Sequence, residues 1–97
     1  MDQNFLAQIE WARELAGVPF IITSGWRCSR HNERVGGKAT SSHLKGLAAD
    51  IRIDSSRDRF LVFRALLRAG FCRIGIGRDF IHVDTDPDKA HDLIWIY

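Results

Sequence analysis

Phe71-Cys-Arg-Ile-Gly-Ile-Gly77, followed after Arg78 and Asp79 by Phe80-Ile-His-Val-Asp84, reads as two short strands joined by a turn at Gly77-Arg-Asp79. In the second run Ile81 and Val83 alternate with His82 and Asp84. Side chains of a strand point to opposite faces in turn, so the two apolar residues face a core while the imidazole and the carboxylate share the other face. A sheet with one packed face and one face that carries chemistry is the expectation from which the rest of the chain is read.

Working outward, Asp86-Pro-Asp-Lys89 is a turn, and Leu93-Ile-Trp-Ile-Tyr97 is a last, strongly β-prone strand. Upstream, Ser55 or Ser56 can N-cap a helix that runs to about Ala69, with Asp58 in its first turn and Gly70 at its end. Phe60, Phe63, Leu66 and Leu67 form its apolar stripe, and Arg57, Arg59, Arg64 and Arg68 lie largely off it. Leu47 to Ile53 alternates again: Leu47, Ala49, Ile51 and Ile53 on one side, Ala48 and Asp50 on the other. Asp50 therefore comes from a strand. Before it, Phe20-Ile-Ile-Thr23 reads as a buried β-branched strand after Pro19, and delivers Ser24-Gly-Trp-Arg27 to its end. Phe5, Leu6, Ile9, Ala12, Leu15 and Ala16 recur at helical spacing up to Gly17, with Trp11 expected at the edge of the core ahead of its alternative, a substrate wall. Two helices and about five strands predict an α+β domain in which the helices pack on a mainly antiparallel sheet.

The 97 residues form one expected domain, 1–97, with room for a modest core and no second unit. A hydrophobic share of 45% with 27% charged residues is that of a globular chain, and a formal net charge of +2 is too small to argue for nucleic acid. No run approaches the roughly 18 apolar residues of a membrane span, and the N-terminal residues show neither the basic nor the apolar region of a secretory signal. The two cysteines, Cys28 and Cys72, are either a disulfide or a pair of buried thiols; neither sits in a Cys-x-x-Cys pair, so no cysteine zinc site is expected. Residues 28–42 are polar almost throughout; Val35-Gly36-Gly37-Lys38 lacks the spacing of a phosphate-binding loop, and His31 reads as a loop side chain.

His43 and Asp50, seven apart with Gly46 between them, join His82 as two histidines and a carboxylate, which is the ligand count of a catalytic zinc site with one position open. Read alone, Asp50 has a plainer alternative, an ion pair with Arg52 or Lys45. The pattern Ser41-x-His43-x-x-Gly46-x-Ala48-x-Asp50, preceded by Ser24-Gly-Trp-Arg27 and followed by Gly75-Ile-Gly77 and His82-Val-Asp84, resembles the zinc D-Ala-D-Ala carboxypeptidase and L-Ala-D-Glu endopeptidase family, with the hedgehog/DD-peptidase fold. The likeness runs from about Phe5 to Tyr97 and is greatest to short phage and prophage members.

The resemblance implies one zinc held by His43, Asp50 and His82, Asp79 as general base, Arg27 on the substrate carbonyl, and Ser41 among the substrate contacts. Asp84 competes with Asp79 for the base, because it shares the face of His82; its other role is to orient a ligating histidine through the second ring nitrogen. An Arg27 that clamps a terminal carboxylate favours a carboxypeptidase, whereas one on the scissile carbonyl suits an endopeptidase. The implied substrate is a peptide of bacterial peptidoglycan, met by a monomer made in the cytoplasm that reaches the wall after lysis or within a phage-type assembly. A zinc-containing but non-hydrolytic cell-wall or protein-binding module is the alternative, and the acid at position 79 speaks against it.

Overall fold

A computed structural model describes residues 2–24 and 46–97. Helix α1 (Gln3–Ala16) and helix α2 (Ser56–Arg68) lie with five strands: β1 (Ile22–Ser24), β2 (Ala48–Arg52), β3 (Arg73–Ile76), β4 (Phe80–Asp84) and β5 (Leu93–Ile96). The strands form one sheet in the order β1-β2-β4-β3-β5. All neighbours are antiparallel except β3 and β5, which run parallel. The architecture is α+β, as the sequence predicts, with a mixed sheet.

Each helix begins where a side chain can take the place of the missing backbone acceptor. Asp2 accepts from the Phe5 backbone N–H at 2.9 Å, and Ser55 accepts from that of Asp58 at 3.1 Å. Gly17 ends α1 in the left-handed conformation, φ 71°, which costs a glycine nothing.

Both helices lie on one face of the sheet. Phe5, Ile9 and Ala12 of α1 and Val62 and Leu66 of α2 bury against Ala49, Ile51, Ile74, Ile81 and Val83, every second residue of the central strands. Phe5 meets Phe71 edge to face, ring centroids 5.9 Å apart.

Three expectations need correction. The Phe20–Thr23 run is not a buried strand: β1 starts at Ile22, and Ile21 and Ile22 are exposed. Among the described residues it is the outer strand of the sheet, paired to β2 through an irregular register. The buried stripe of α2 is Val62, Ala65 and Leu66, while Phe60 and Leu67 point outward. Trp11 is also exposed, because Ala12 and Ala16 occupy the inner face of α1 and turn position 11 away.

Phe5 is 1% exposed and bridges a helix to the strand side of the core. Phe5→Ala is expected to lower stability by about 3–5 kcal/mol, the range for deleting a buried aromatic ring, in equilibrium denaturation by urea.

Candidate metal centre

The face of the sheet away from the helices carries the other half of each alternation. In β2 and β4 the register pairs Asp50 with His82 and Ala48 with Asp84, and across the next seam Gly75 of β3 lies opposite His82. Asp50 and His82 are therefore cross-strand neighbours, held by two backbones that are fixed by their own ladders.

His82 Nδ1 stands 2.9 Å from Asp50 Oδ1, and Nε2 stands 2.7 Å from Asp84 Oδ2. Asp84 in turn accepts from Arg73 Nε through Oδ1 at 2.6 Å. The chain Arg73–Asp84–His82–Asp50 thus crosses three strands, and the first three of these residues are buried. Asp50 is half-buried.

Burial of the His82 ring works against its charged form, but the hydrogen bonds and charges of Asp50 and Asp84 outweigh it and hold its pKa above the usual 6.5. Burial likewise favours the neutral acid at Asp84; hydrogen bonds and charge from His82 and Arg73 overcome this and keep the carboxyl below its usual 3.8.

Aromatic rings from β5 and the residue after it flank one side. Trp95 lies 5.6 Å from the His82 ring and Tyr97 lies 6.5 Å from it, centroid to centroid. The wall fits because position 75 has no side chain: a Cβ there would meet Trp95 and Tyr97 ring atoms at 2.5–2.6 Å. Burial raises the Tyr97 phenol above its usual 10, and the charges of Asp50 and Asp84 add to this, while a hydrogen bond with Trp95 and the charge of Arg73 oppose it.

On the other side of Asp50 a hollow of about 500 Å³ is lined by Thr23, Asp50, Arg52, Asp54, Asp79 and Phe80. Asp79 sits in the β3–β4 turn, exposed, with its carbonyl accepting from the Ile53 N–H at 2.8 Å. Arg52 pairs with Asp54 at 2.8 Å, so the plainer reading of Asp50 as the partner of Arg52 does not describe this site; Asp50 is turned to His82.

The donor set suits a metal. Two atoms that ligate one tetrahedral zinc at about 2.0–2.2 Å lie about 3.3–3.6 Å apart, so Asp50 Oδ1 and His82 Nδ1, which face each other at 2.9 Å, would part by about half an ångström to take the ion between them. The Nε2 contact with Asp84 supplies the carboxylate that a ligating histidine ordinarily finds at its second nitrogen. Among the described residues no group of three or more metal-ligating side chains occurs. The third ligand expected from sequence, His43, lies outside the described residues, as do Arg27, His31, Ser41 and Cys28. Cys72 is a free thiol with its sulfur 3.4 Å from His91 Nδ1.

Arg73 was not among the residues singled out from sequence. Its signal was present: strand alternation sets it on the same side as Gly75, and so on the face opposite Ile74 and Ile76.

A half-buried carboxylate and a buried imidazole face one another from adjacent strands, next to an open hollow with a second carboxylate, an arrangement that metal-dependent hydrolysis can use. Residues 2–84 match the family described as Peptidase M15, and the chain belongs to that family of metallopeptidases. No curated protein matches the chain significantly. Among the described residues no helix is long and apolar enough to cross a membrane.

The packing of the wall against Gly75 can be tested directly. Gly75→Ala places a methyl group inside the Trp95 and Tyr97 rings and is expected to destabilise the fold by about 1–3 kcal/mol, the usual cost of overpacking. An unchanged melting temperature would contradict this packing.

Proposed function

We propose that the protein is a zinc-dependent peptidase that hydrolyses peptide bonds in the stem peptides or cross-links of bacterial peptidoglycan. The observation that carries the reading is the convergence of Asp50 Oδ1 and His82 Nδ1, 2.9 Å apart on neighbouring strands, in a chain of the M15 family. His43, Asp50 and His82 hold the zinc. When bound, the ion polarises the scissile carbonyl and lowers the pKa of water at the site toward ~7.

The remaining work falls to side chains of this protein. Asp79 accepts the proton of the attacking water at its carboxylate and passes it to the departing amine. Its place on the hollow that also reaches Asp50 supports this role over Asp84, whose two oxygens are engaged by His82 and Arg73. Asp84 keeps the ring of His82 in place. Arg27 donates to the substrate carbonyl as negative charge develops on its oxygen, and Ser41 contacts the bound peptide. Thr23, Arg52 and Phe80 form the walls against which the peptide lies.

Purified protein is expected to contain one zinc per chain, and His82→Ala to contain none; stoichiometric zinc in that variant, measured by elemental analysis, would overturn the ligand assignment. Asp79→Asn keeps the size of the side chain and removes the proton acceptor. At saturating zinc it is expected to fold and to retain the metal, while cleavage falls by at least the ~10²-fold that general-base catalysis contributes. Digestion of purified peptidoglycan, with mass analysis of the released ends, identifies the bond cleaved. Intact peptidoglycan after incubation with zinc-loaded protein would remove the wall from the proposal.

A further inference from the structure

We infer that Arg73 is a positioning residue of the metal centre, which acts through Asp84 to fix the ring of His82. The inference rests on the zinc reading above and concerns a residue that touches neither the metal donors nor the hollow.

Asp84 divides its two oxygens. Oδ2 faces His82 Nε2 at 2.7 Å, and Oδ1 accepts from Arg73 Nε at 2.6 Å and, at 3.3 Å, from the Asp86 backbone N–H. The carboxylate plane is thereby set by what holds Oδ1. Arg73 is itself held from three directions: by Asp84, by the Ala90 carbonyl, which accepts from Nη1, and by the Trp95 ring, whose centroid is 5.1 Å from the guanidinium carbon. A planar guanidinium offers its donors in a fixed fork, so once Nη1 and the stacked face are occupied, the direction of Nε is no longer free. Arg73 thus orients Asp84, and Asp84 orients His82 with Nε2 engaged and Nδ1 turned to Asp50. Outer partners of this kind fix the tautomer and ring direction of a ligating histidine.

Packing alone does not account for the arrangement. The side chains of Arg73 and Asp84 are 9% and 1% exposed, and a buried ion pair of this kind is commonly replaceable by apolar groups of similar volume without loss of stability. What an apolar pair cannot supply is a carboxylate oxygen at a set angle to Nε2. The residues that clamp Arg73, Ala90 and Trp95, lie beyond the family-matched residues 2–84. The segment after β4 therefore has a task at the metal centre, reached through Arg73.

The test is a double-mutant cycle read by zinc affinity, from competition with a chelator, and by the visible spectrum of the cobalt-substituted protein. Arg73→Met is expected to weaken zinc binding by ~10-fold or more, within the range seen for lost outer partners, and to change the cobalt spectrum. Arg73→Lys, which keeps the charge without the fork, is expected to fall between. In an Asp84→Asn background Arg73→Met should change zinc affinity by no more than about twofold, since residues that act through one path do not add. Wild-type affinity and spectrum in folded Arg73→Met, or the same loss in both backgrounds, would overturn the inference.

A role in packing predicts instead a lower melting temperature with zinc affinity intact. If Arg73→Met does not fold, Arg73→Lys, made alone and together with Asp84→Asn, carries the same cycle: a several-fold loss that vanishes in the Asp84→Asn background supports the inference, and one that persists there overturns it. A wild-type protein without stoichiometric zinc defeats the zinc reading and this inference together. Normal zinc binding indifferent to position 73 defeats this inference alone.

Discussion

The register of β2 against β4 is the constraint on which the site depends. It pairs Asp50 with His82 and, by the same ladder, Ile51 with Ile81 and Ala49 with Val83. Because side chains alternate with a period of two, one residue of slip in β2 would send Asp50 toward the helices, and one in β4 would send His82 there, with an apolar residue turned to the open face in exchange. The slip is blocked by the core itself. Ile51, Ile81 and Val83 are completely buried beneath α1 and α2, and moving them to the other face would expose three large apolar side chains at roughly 1.5–3 kcal/mol each. The hydrophobic packing that makes the domain stable is thus also the device that aligns a carboxylate with an imidazole.

That face has to hold charge without losing it to the interior. A buried carboxylate such as Asp84 is costly unless its oxygens are engaged, and here both are. The burial of Arg73, His82 and Asp84 strengthens each contact in the chain and equally penalises any contact left unmade. This is why Arg73 cannot be regarded as an ordinary surface cation on a strand. Removing it would take the charged partner from Oδ1 and leave that oxygen of a buried carboxylate with the longer contact to the Asp86 backbone N–H.

Much of this was legible in the sequence, and the reasons differ from element to element. The alternation in 80–84 and 47–53 showed which side chains share a face, because periodicity is a local property that one strand states about itself. The start of α2 at Ser55 and the end of α1 at Gly17 were legible for a similar reason, since these residues act on groups within a few positions; the Asp2 cap of α1, equally local, was not read. What failed was position within the sheet. Phe20-Ile-Ile-Thr23 has the composition of an inner strand, but composition reports fit to a pleated surface and not whether a neighbour exists on both sides. The stripe of α2 was misread because two overlapping sets of apolar residues satisfy helical spacing, and only the sheet beneath chooses Val62 and Ala65 over Phe60 and Leu67. Arg73 escaped notice because its meaning comes from Asp84 across a seam and Trp95 on a parallel strand, neither of which its own neighbours in sequence reveal.

The parallel pairing of β5 to β3 is the least local feature of all, and it explains the glycine at the centre of the site. Gly75 has His82 as its partner on one side and Trp95 on the other. With no side chain at position 75, β3 leaves a gap on this face, and the indole of Trp95 in β5 and the phenol of Tyr97 just after it lean into it. An alanine would have filled that gap with one methyl group and kept the rings apart. Glycine instead lets one strand lend its aromatic surface to the residues of another. The indole that covers Gly75 is also the one stacked on Arg73, so the missing side chain at position 75 and the ion pair beside His82 are parts of a single packing solution. A sheet interior is usually weakened by glycine. Here the close approach it permits lets the rings at the end of one strand pack against the buried ion pair beside it, so that Trp95 lies on the guanidinium of Arg73 while Arg73 holds the carboxylate that faces His82.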